Sequence, residues 1–489
     1  MRQRFERQLD LGQTPIEEVP IPPKSRDELP PVLRGLQWIF QTPDVNEQIF
    51  ALLEQKIQGT KKPATGRPGM DLWHVLVLGV VRLALDCDYD RLEYLVHYDT
   101  LLRRIMGLES HFRGEFGKGF HQKTLTENVC HVDEALLAQI NAIVVQAGRP
   151  LFKKKDDEPI HAKSDTYVLE TNVHFPTDLN LLWDACRKCL VLLPRLAQHV
   201  EHEGWRKASL WRKQLKSLLR TCGTISHGGG TKKRERLDAA VTAYLQKAYA
   251  LEQKVFASLL VLRPQACSLR EQTILAEVEC YHEMLITHLD LIDRRVLQGE
   301  TIPHADKLFS LFEPHTEWIN KGKVSPAVEL GHKLLITTDQ YSLILDYKIM
   351  TQSSDVKETL PLTDRLLARF GDGQIQSWSV DKGFSAQADR ELLELFIPEV
   401  IMPKKGRHSQ ADQVRETQKT FRRLRQQHSG IESDINALEH HGLNRCPDKG
   451  WSGFQRYVGF GILAYNLHKI GHRLLAHDRR HQPRLQQAA

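Results

Sequence analysis

Residues 160–168 read IHAKSDTYV, and this stretch decides how the chain is read. Ile160, Thr166, Tyr167 and Val168 are β-branched or aromatic, which favours extended backbone and predicts a strand. An acidic residue, Asp165, stands inside it, and Pro176 closes the region. The sequence on either side has a helical texture.

Upstream, residues 1–30 are polar and Pro-rich (TPIEEVPIPPKSRDELPP) and read as an arm. Residues 31–150 read as an all-helical N-terminal domain. Its segment Leu72–Leu85 is apolar almost all round and should be buried. Short helices near Leu92–His97 and Leu101–Met106 give a helix-turn-helix-like pattern. Leu72–Leu85 is too short to span a bilayer and contains His74 and Arg82. The start, MRQRFERQLD, lacks the apolar core of a signal peptide, so a cytoplasmic protein with no membrane partner is expected.

Downstream, residues 179–320 read as a helical block, interrupted by Gly228-Gly229-Gly230 and the basic run Lys232, Lys233, Arg234, Arg236. That run is either a loop near a polyanion or a solvated linker. Strand signals return at 333–338 and 343–350, with a turn at Asp339-Gln340. A helix near 362–369, a strand at 375–380, a helix at 387–396 and a strand at 400–402 follow. A long helical pattern spans 412–440, a last helix spans 457–475, and residues 476–489 form a basic tail. Without the helical block the order is three strands, helix, strand, helix, strand, helix. That order fits an α/β fold of ribonuclease-H-like type, made of 151–178 and 321–475 and interrupted after its first strand.

The 489 residues are 41% hydrophobic and 26% charged, ordinary for a folded soluble protein. A net charge of +6 permits a polyanionic partner without demanding one. The eight Cys are scattered and make no disulfide framework, and Cys186-x-x-Cys189 has no second pair at zinc-finger spacing.

Three acids sit where such a fold can use them: Asp165 in the first strand, Asp381 just past the strand 375–380, and Glu432 beside the apolar stripe of the long helix. In-line attack on a phosphodiester needs an activated nucleophile and a stabilised leaving oxygen, which two divalent ions about 4 Å apart supply. Mg²⁺ prefers oxygen ligands such as carboxylates. Asp339 and Asp346 are alternatives to Asp381. Glu170, His174 and Asp178 follow Asp165 closely, and a turn is the competing reading for Asp178.

Several blocks carry a family resemblance: GRPG at 66–69, SDTYVLETNVHFPTD at 164–178, SLFEPHTEWI at 310–319 with KGK at 321–323 and ELGH at 329–332, DKGF at 381–384, HSGIESDINALE at 428–439 with HGLNRC at 441–446, and Asn466-Leu467. From about residue 60 to 475 the chain resembles bacterial insertion-sequence transposases of the DDE class, in particular the ISNCY group. The resemblance implies a ribonuclease-H-like catalytic domain with Asp165, Asp381 and Glu432 as ligands of two Mg²⁺ ions, Mn²⁺ being a substitute. It implies DNA cleavage at element ends and strand transfer into target DNA. The partners would be terminal inverted repeats and target DNA, bound by a homodimer or larger assembly, with the N-terminal helices reading the ends.

One departure stands out. Many such enzymes carry Arg four residues before the catalytic Glu and Lys seven after it. Here those places hold His428 and Glu439, so Glu439 is a second candidate for the third acid. Lys321, Lys323, Lys382, Lys404, Lys405, Arg407 and His428 are candidate DNA contacts. A solvated loop is the competing reading for 404–407. Trp318 is either a base-stacking or a core residue. A nuclease that cuts without joining, and a non-catalytic DNA-binding protein, remain open as other functions.

Overall fold

The computed structural model describes residues 2, 4–5, 14–58, 69–108, 119–303, 306–320 and 327–481. The chain divides into two compact units, residues 1–172 with 317–489, and residues 173–316. The first unit opens with helices α1 (Leu29–Gln41), α2 (Pro43–Gln58), α3 (Leu72–Ala84), α4 (Tyr89–Tyr98), α5 (Thr100–Ile105), α6 (Gln122–Val129) and α7 (Glu134–Gly148). Strand β1 (Ile160–Thr171) follows. The second unit contributes α8 (Asp178–His199), α9 (Ala208–His227), α10 (Lys233–Leu262) and α11 (Leu269–Ile292). The chain then returns to the first unit with β2 (Glu317–Asn320), β3 (Val328–Thr338), β4 (Ile344–Met350), α12 (Asp355–Phe370), β5 (Ile375–Val380), α13 (Gln387–Leu393) and β6 (Glu399–Ile401). It ends with α14 (Gln410–Thr417), α15 (Lys419–His428), α16 (Gly430–Leu438), β7 (Arg445–Cys446) and α17 (Trp451–His481).

The described strands form one mixed seven-stranded sheet. β1 is central. It pairs antiparallel with β3 over Lys163–Glu170 and parallel with β5, which pairs parallel with β6. On the far side of β3, β2 pairs with 328–331 and β4 with 333–338. One face of the sheet, including Tyr167, Leu169, Leu334 and Ile336, shares a core with the N-terminal helices, α16 and α17. The other face, including Ala162, Leu335, Trp378 and Val380, packs on Leu362 and Leu366 of α12 and Leu393 of α13. Both faces are covered, as parallel strands require.

The helical pattern of 31–150 holds, and all thirteen residues of α3 are buried. Asp88, Asp99 and Asp133 start α4, α5 and α7 by accepting from the amides of Arg91, Leu102 and Leu136, which satisfies otherwise orphaned donors. These helices belong to the first unit and share its core. Helix α17 crosses α1 at backbone contact. A Cβ on Gly35 would overlap the Leu467 carbonyl, and one on Gly471 the Pro31 carbonyl, so only glycine fits at either place.

Four boundaries differ from expectation. Residues 16–18 of the arm form a turn of 3₁₀ helix, and Ile16 and Val19 are buried there. The Gln37 amide donates to both of their carbonyls at 2.9 Å, so a polar sequence is docked by one buried side chain. Helix α12 begins seven residues before Leu362 and contains Pro361. Its first turns are held by Lys333–Asp355 and Lys348–Glu358 pairs, which offset the donor lost at proline. The long pattern 412–440 is three helices, broken at Gln418 (ψ 139°) and at Ser429. Helix α17 begins at Trp451 and takes in part of the expected basic tail, reaching His481.

In the second unit, α8–α11 bury Cys186, Cys189 and Cys222 among Leu and Tyr244. Burial pushes the Cys186 and Cys189 thiols up, which suits packing residues and not metal ligands.

Candidate active site

β1 and β5 pair only as far as Ser164 and Val380. One residue on, the strands part, and the next two residues are Asp165 and Asp381. Neighbouring strands lie about 4.8 Å apart, so the register brings the two acids side by side. Further along the same side of β1, β7 takes over at Glu170 and Thr171. Residues 165–169 therefore face a notch between described strands, and α16 packs against β1 there. Glu432 lies in the first turn of α16.

The electrostatics report the convergence. Burial, opposed by the Thr166 amide that donates to Oδ1 at 2.7 Å, pushes the Asp165 carboxyl up to about 6. The negative charges of Asp381, Asp355 and Glu432 add to the rise. Like charges crowded beside a partly desolvated carboxyl disfavour its ionised form, so the group calls for a cation. Burial also works against ionisation of Asp381, but the Lys382 amide and the Arg425 guanidinium outweigh it and hold that carboxyl below its usual range.

Beneath Asp165 the backbone is tied rigidly. Trp378 Nε1 donates to Ser164 Oγ at 2.7 Å, and Ser164 Oγ lies 2.7 Å from Thr337 Oγ1, a buried chain across β5, β1 and β3. Each bond adds about 1 kcal/mol net, and more is lost if one partner is removed. Lys163 Nζ is 3.9 Å from Asp434, and Asp434 accepts from the Tyr465 hydroxyl at 3.0 Å.

Two further residues, not expected from the sequence, border these acids. Arg425 bonds the Val380 carbonyl at 3.0 Å and Asp381 Oδ1 at 3.2 Å. Asp355, at the start of α12, accepts from Lys333 Nζ at 3.0 Å and Thr166 Oγ1 at 3.3 Å. The basic character of α15, which carries Arg422, Arg423 and Arg425, was the available signal for Arg425.

The other candidates divide clearly. Burial raises the Tyr167 hydroxyl, and the nearby Glu439 charge adds to the rise, which places Glu439 close to Tyr167, two residues beyond Asp165. Asp339 is fully buried, accepts from the Tyr341 and Leu343 amides and pairs with Arg149 at 3.2 Å, so it builds the hairpin turn. Asp346 is held by Arg365 and Arg369. Glu170, His174 and Asp178 are engaged with Arg445, Asp184 and Arg295. Lys382, Lys405 and Arg407 are exposed and Lys404 is half-buried. His428 is no surface cation: it is buried, its Nδ1 is 3.1 Å from Ser379 Oγ, and burial with the nearby Arg425 and Lys163 charges lowers it to about 4. Lys321 and Lys323 lie outside the described residues, as do positions 66–68 of the GRPG block.

The donor set fits hard divalent ions. Asp381 commits one oxygen to Arg425, Asp165 one to an amide, and the Glu432 carboxylate has no partner among the described residues. Their oxygens are more widely spaced than a one-ion cluster. Among the described residues, the group of three whose ligand atoms all lie within 4.8 Å is Glu28, His468 and His472.

The second unit carries a cleft of about 360 Å³ lined by Trp183 and Arg187 of α8 and Ser209, Arg212, Lys213 and Lys216 of α9. Arg187 pairs with Asp184 at 3.3 Å, while Arg212, Lys213 and Lys216 are exposed. On the neighbouring surface Lys247 Nζ sits 3.8 Å from the Trp211 ring centre.

No family model, no curated protein and no solved structure matches the chain.

Proposed function

We propose that this protein is a DDE transposase that cuts DNA at the ends of a mobile element and joins them to target DNA. One observation carries the reading: the charges of Asp381 and Glu432, with that of Asp355, all act on Asp165 at the notch beside β1, so acids from separate elements converge on it. The sheet order supports the ribonuclease-H-like reading, with β1, β5 and β6 parallel and β3 and β4 antiparallel in sequence around the central β1.

Asp165, Asp381 and Glu432 would hold two Mg²⁺ ions, which when bound activate the attacking oxygen and stabilise the leaving one. The Thr166 amide aims Asp165, and Arg425 aims Asp381 by gripping both its carboxylate and the preceding carbonyl. Lys382, Lys405, Arg407, Arg422 and Arg423 offer exposed positive charge to the DNA backbone, which fixes register without reading sequence. The Trp183 cleft, with three exposed cations and an aromatic ring, suits a strand end whose base stacks while its phosphates are held. Pairing two element ends calls for at least a dimer.

The test is a strand-transfer assay with Mg²⁺ or Mn²⁺ and DNA carrying the repeats that flank the coding region. Cleavage followed by joining, lost in Asp165→Asn, Asp381→Asn and Glu432→Gln, is expected. Cleavage without joining would identify a nuclease. DNA binding without cleavage, unchanged in Asp165→Asn, would sink the enzyme reading.

A further inference from the structure

The crossing of α1 and α17 gathers a set of side chains that the transposition chemistry does not use. Glu28 immediately precedes α1, and His468 and His472 lie on α17 at i and i+4, a spacing that puts both rings on one helical face. His468 Nε2 meets Glu28 Oε2 at 2.5 Å, and the two imidazole centres are 4.4 Å apart. One nitrogen from each ring and one Glu28 oxygen all lie within 4.8 Å of one another.

We propose that Glu28, His468 and His472 form a binding site for a borderline divalent cation of the zinc class, separate from the carboxylate site and independent of the transposase reading.

The ligand chemistry selects the ion. Two imidazoles and one carboxylate suit Zn²⁺, Co²⁺ or Ni²⁺, whereas Mg²⁺ demands oxygen ligands. Around a tetrahedral zinc with bonds of about 2.0–2.1 Å, donor atoms stand about 3.4 Å apart. Closing from the observed spacing takes only side-chain rotation, and Glu28 and His472 are exposed enough to rotate. Both imidazoles are held toward their neutral form, His468 to about 4, chiefly by burial, so both are ready to donate a lone pair at neutral pH. On binding, the cation takes the place of the proton that His468 Nε2 shares with Glu28, and His468 changes tautomer, its proton moving to Nδ1 while the ring stays neutral.

The backbone preorganises the set. Gly471 lies between the two histidines and touches Pro31, and Gly35 touches Leu467. These two contacts fix the start of α1 against this part of α17, and with it the position of Glu28. A fourth position is left for water or for His441, whose ring centre is 5.4 Å from that of His468. The His441 Nδ1 lies 3.1 Å from the Ala84 carbonyl, which leaves Nε2 available.

The experiment uses the full chain, stripped by chelation and dialysed into millimolar Mg²⁺. Zn²⁺ is titrated against a chromogenic chelator, and Co²⁺ is added separately while its visible absorption is followed. One equivalent of zinc per chain, a four- or five-coordinate cobalt spectrum and a zinc-dependent rise in melting temperature are expected. His472→Ala and Glu28→Gln, both at exposed positions, should each weaken zinc binding by about 100-fold or more, since even outer-shell changes cost 10–100-fold. Far-UV circular dichroism of the metal-free variants checks that they fold, and either variant alone suffices. Absence of stoichiometric binding, or binding equally tight in a folded variant, overturns the proposal.

Discussion

Replacing Asp165 by Asn should make the metal-free protein more stable while removing its chemistry. The substitution keeps the shape and leaves an Oδ1 to accept the Thr166 amide, but removes a charge crowded by Asp381, Asp355 and Glu432. A carboxyl held near 6 in place of its usual 3.8 binds its proton about 100-fold more tightly in the folded chain, which corresponds to about 3 kcal/mol. At pH 8 that is an upper bound on the cost of ionising Asp165 in the native state. The folded value is raised, so the penalty is absent at low pH and grows as pH rises from 3.8 through about 6. Denaturant unfolding at pH 8 in chelator should therefore find Asp165→Asn more stable than the parent by about 1–3 kcal/mol, with the gap closing toward pH 4. Added Mg²⁺ should stabilise the parent and not the variant. If the variant is no more stable at pH 8, or the gap is independent of pH, the carboxylates do not crowd one another as described.

Other outcomes follow from the same geometry. Arg425→Ala should cut cleavage about 10- to 100-fold through misplacement of Asp381, with little change in melting temperature, because the pair is half-exposed. Arg425→Lys should not rescue it, since an ammonium lacks the planar fork that reaches both acceptors. His428 is lowered to about 4, so its contribution to stability is complete above 6.5 and is lost as pH falls toward 4, and His428→Gln should flatten that loss relative to the parent in pH-dependent unfolding. Gly471→Ala should destabilise by about 1–3 kcal/mol in denaturant unfolding, because its methyl must push α1 off α17. If the Trp183 cleft holds DNA, Arg212→Glu with Lys213→Glu should lower affinity and reduce the slope of log affinity against log salt by about 2.

The strands were legible because their signal is local. Ile375–Val380 was read with both ends correct, and β1 was placed from its β-branched and aromatic content. Asp165 and Asp381 stand out for a related reason, one lying within a readable strand and the other just past one, while the parting of β1 from β5 that sets them side by side is visible only in the fold. Glu432 was chosen by chain order and neighbouring motif, and Glu439 stayed open because i and i+7 share a face of a straight helix. The break at Ser429 and the turn of Glu439 toward Tyr167 depend on tertiary packing. Arg425 was missed because the basic partner was sought four residues before Glu432, and a broken helix places it seven before. Asp355 resembled any helix-starting acid, and only folding brings it to β1. The docked arm was hidden because Gln37, a polar residue inside a helix, does the docking.

The splitting of the first unit also has a consequence in time. Lys163 pairs with Thr338, 175 residues later in the chain. At synthesis rates of about 5–20 residues per second, β1 leaves the ribosome about 10–35 seconds before its antiparallel partner. During that interval β1 is an unpaired edge exposed to other nascent chains, while the intervening helices, whose contacts are with one another, can fold first. The acid on α16 arrives later still. A chain released early from translation would lack it, so an unfinished copy of this protein would carry Asp165 and Asp381 without the third acid of the proposed site.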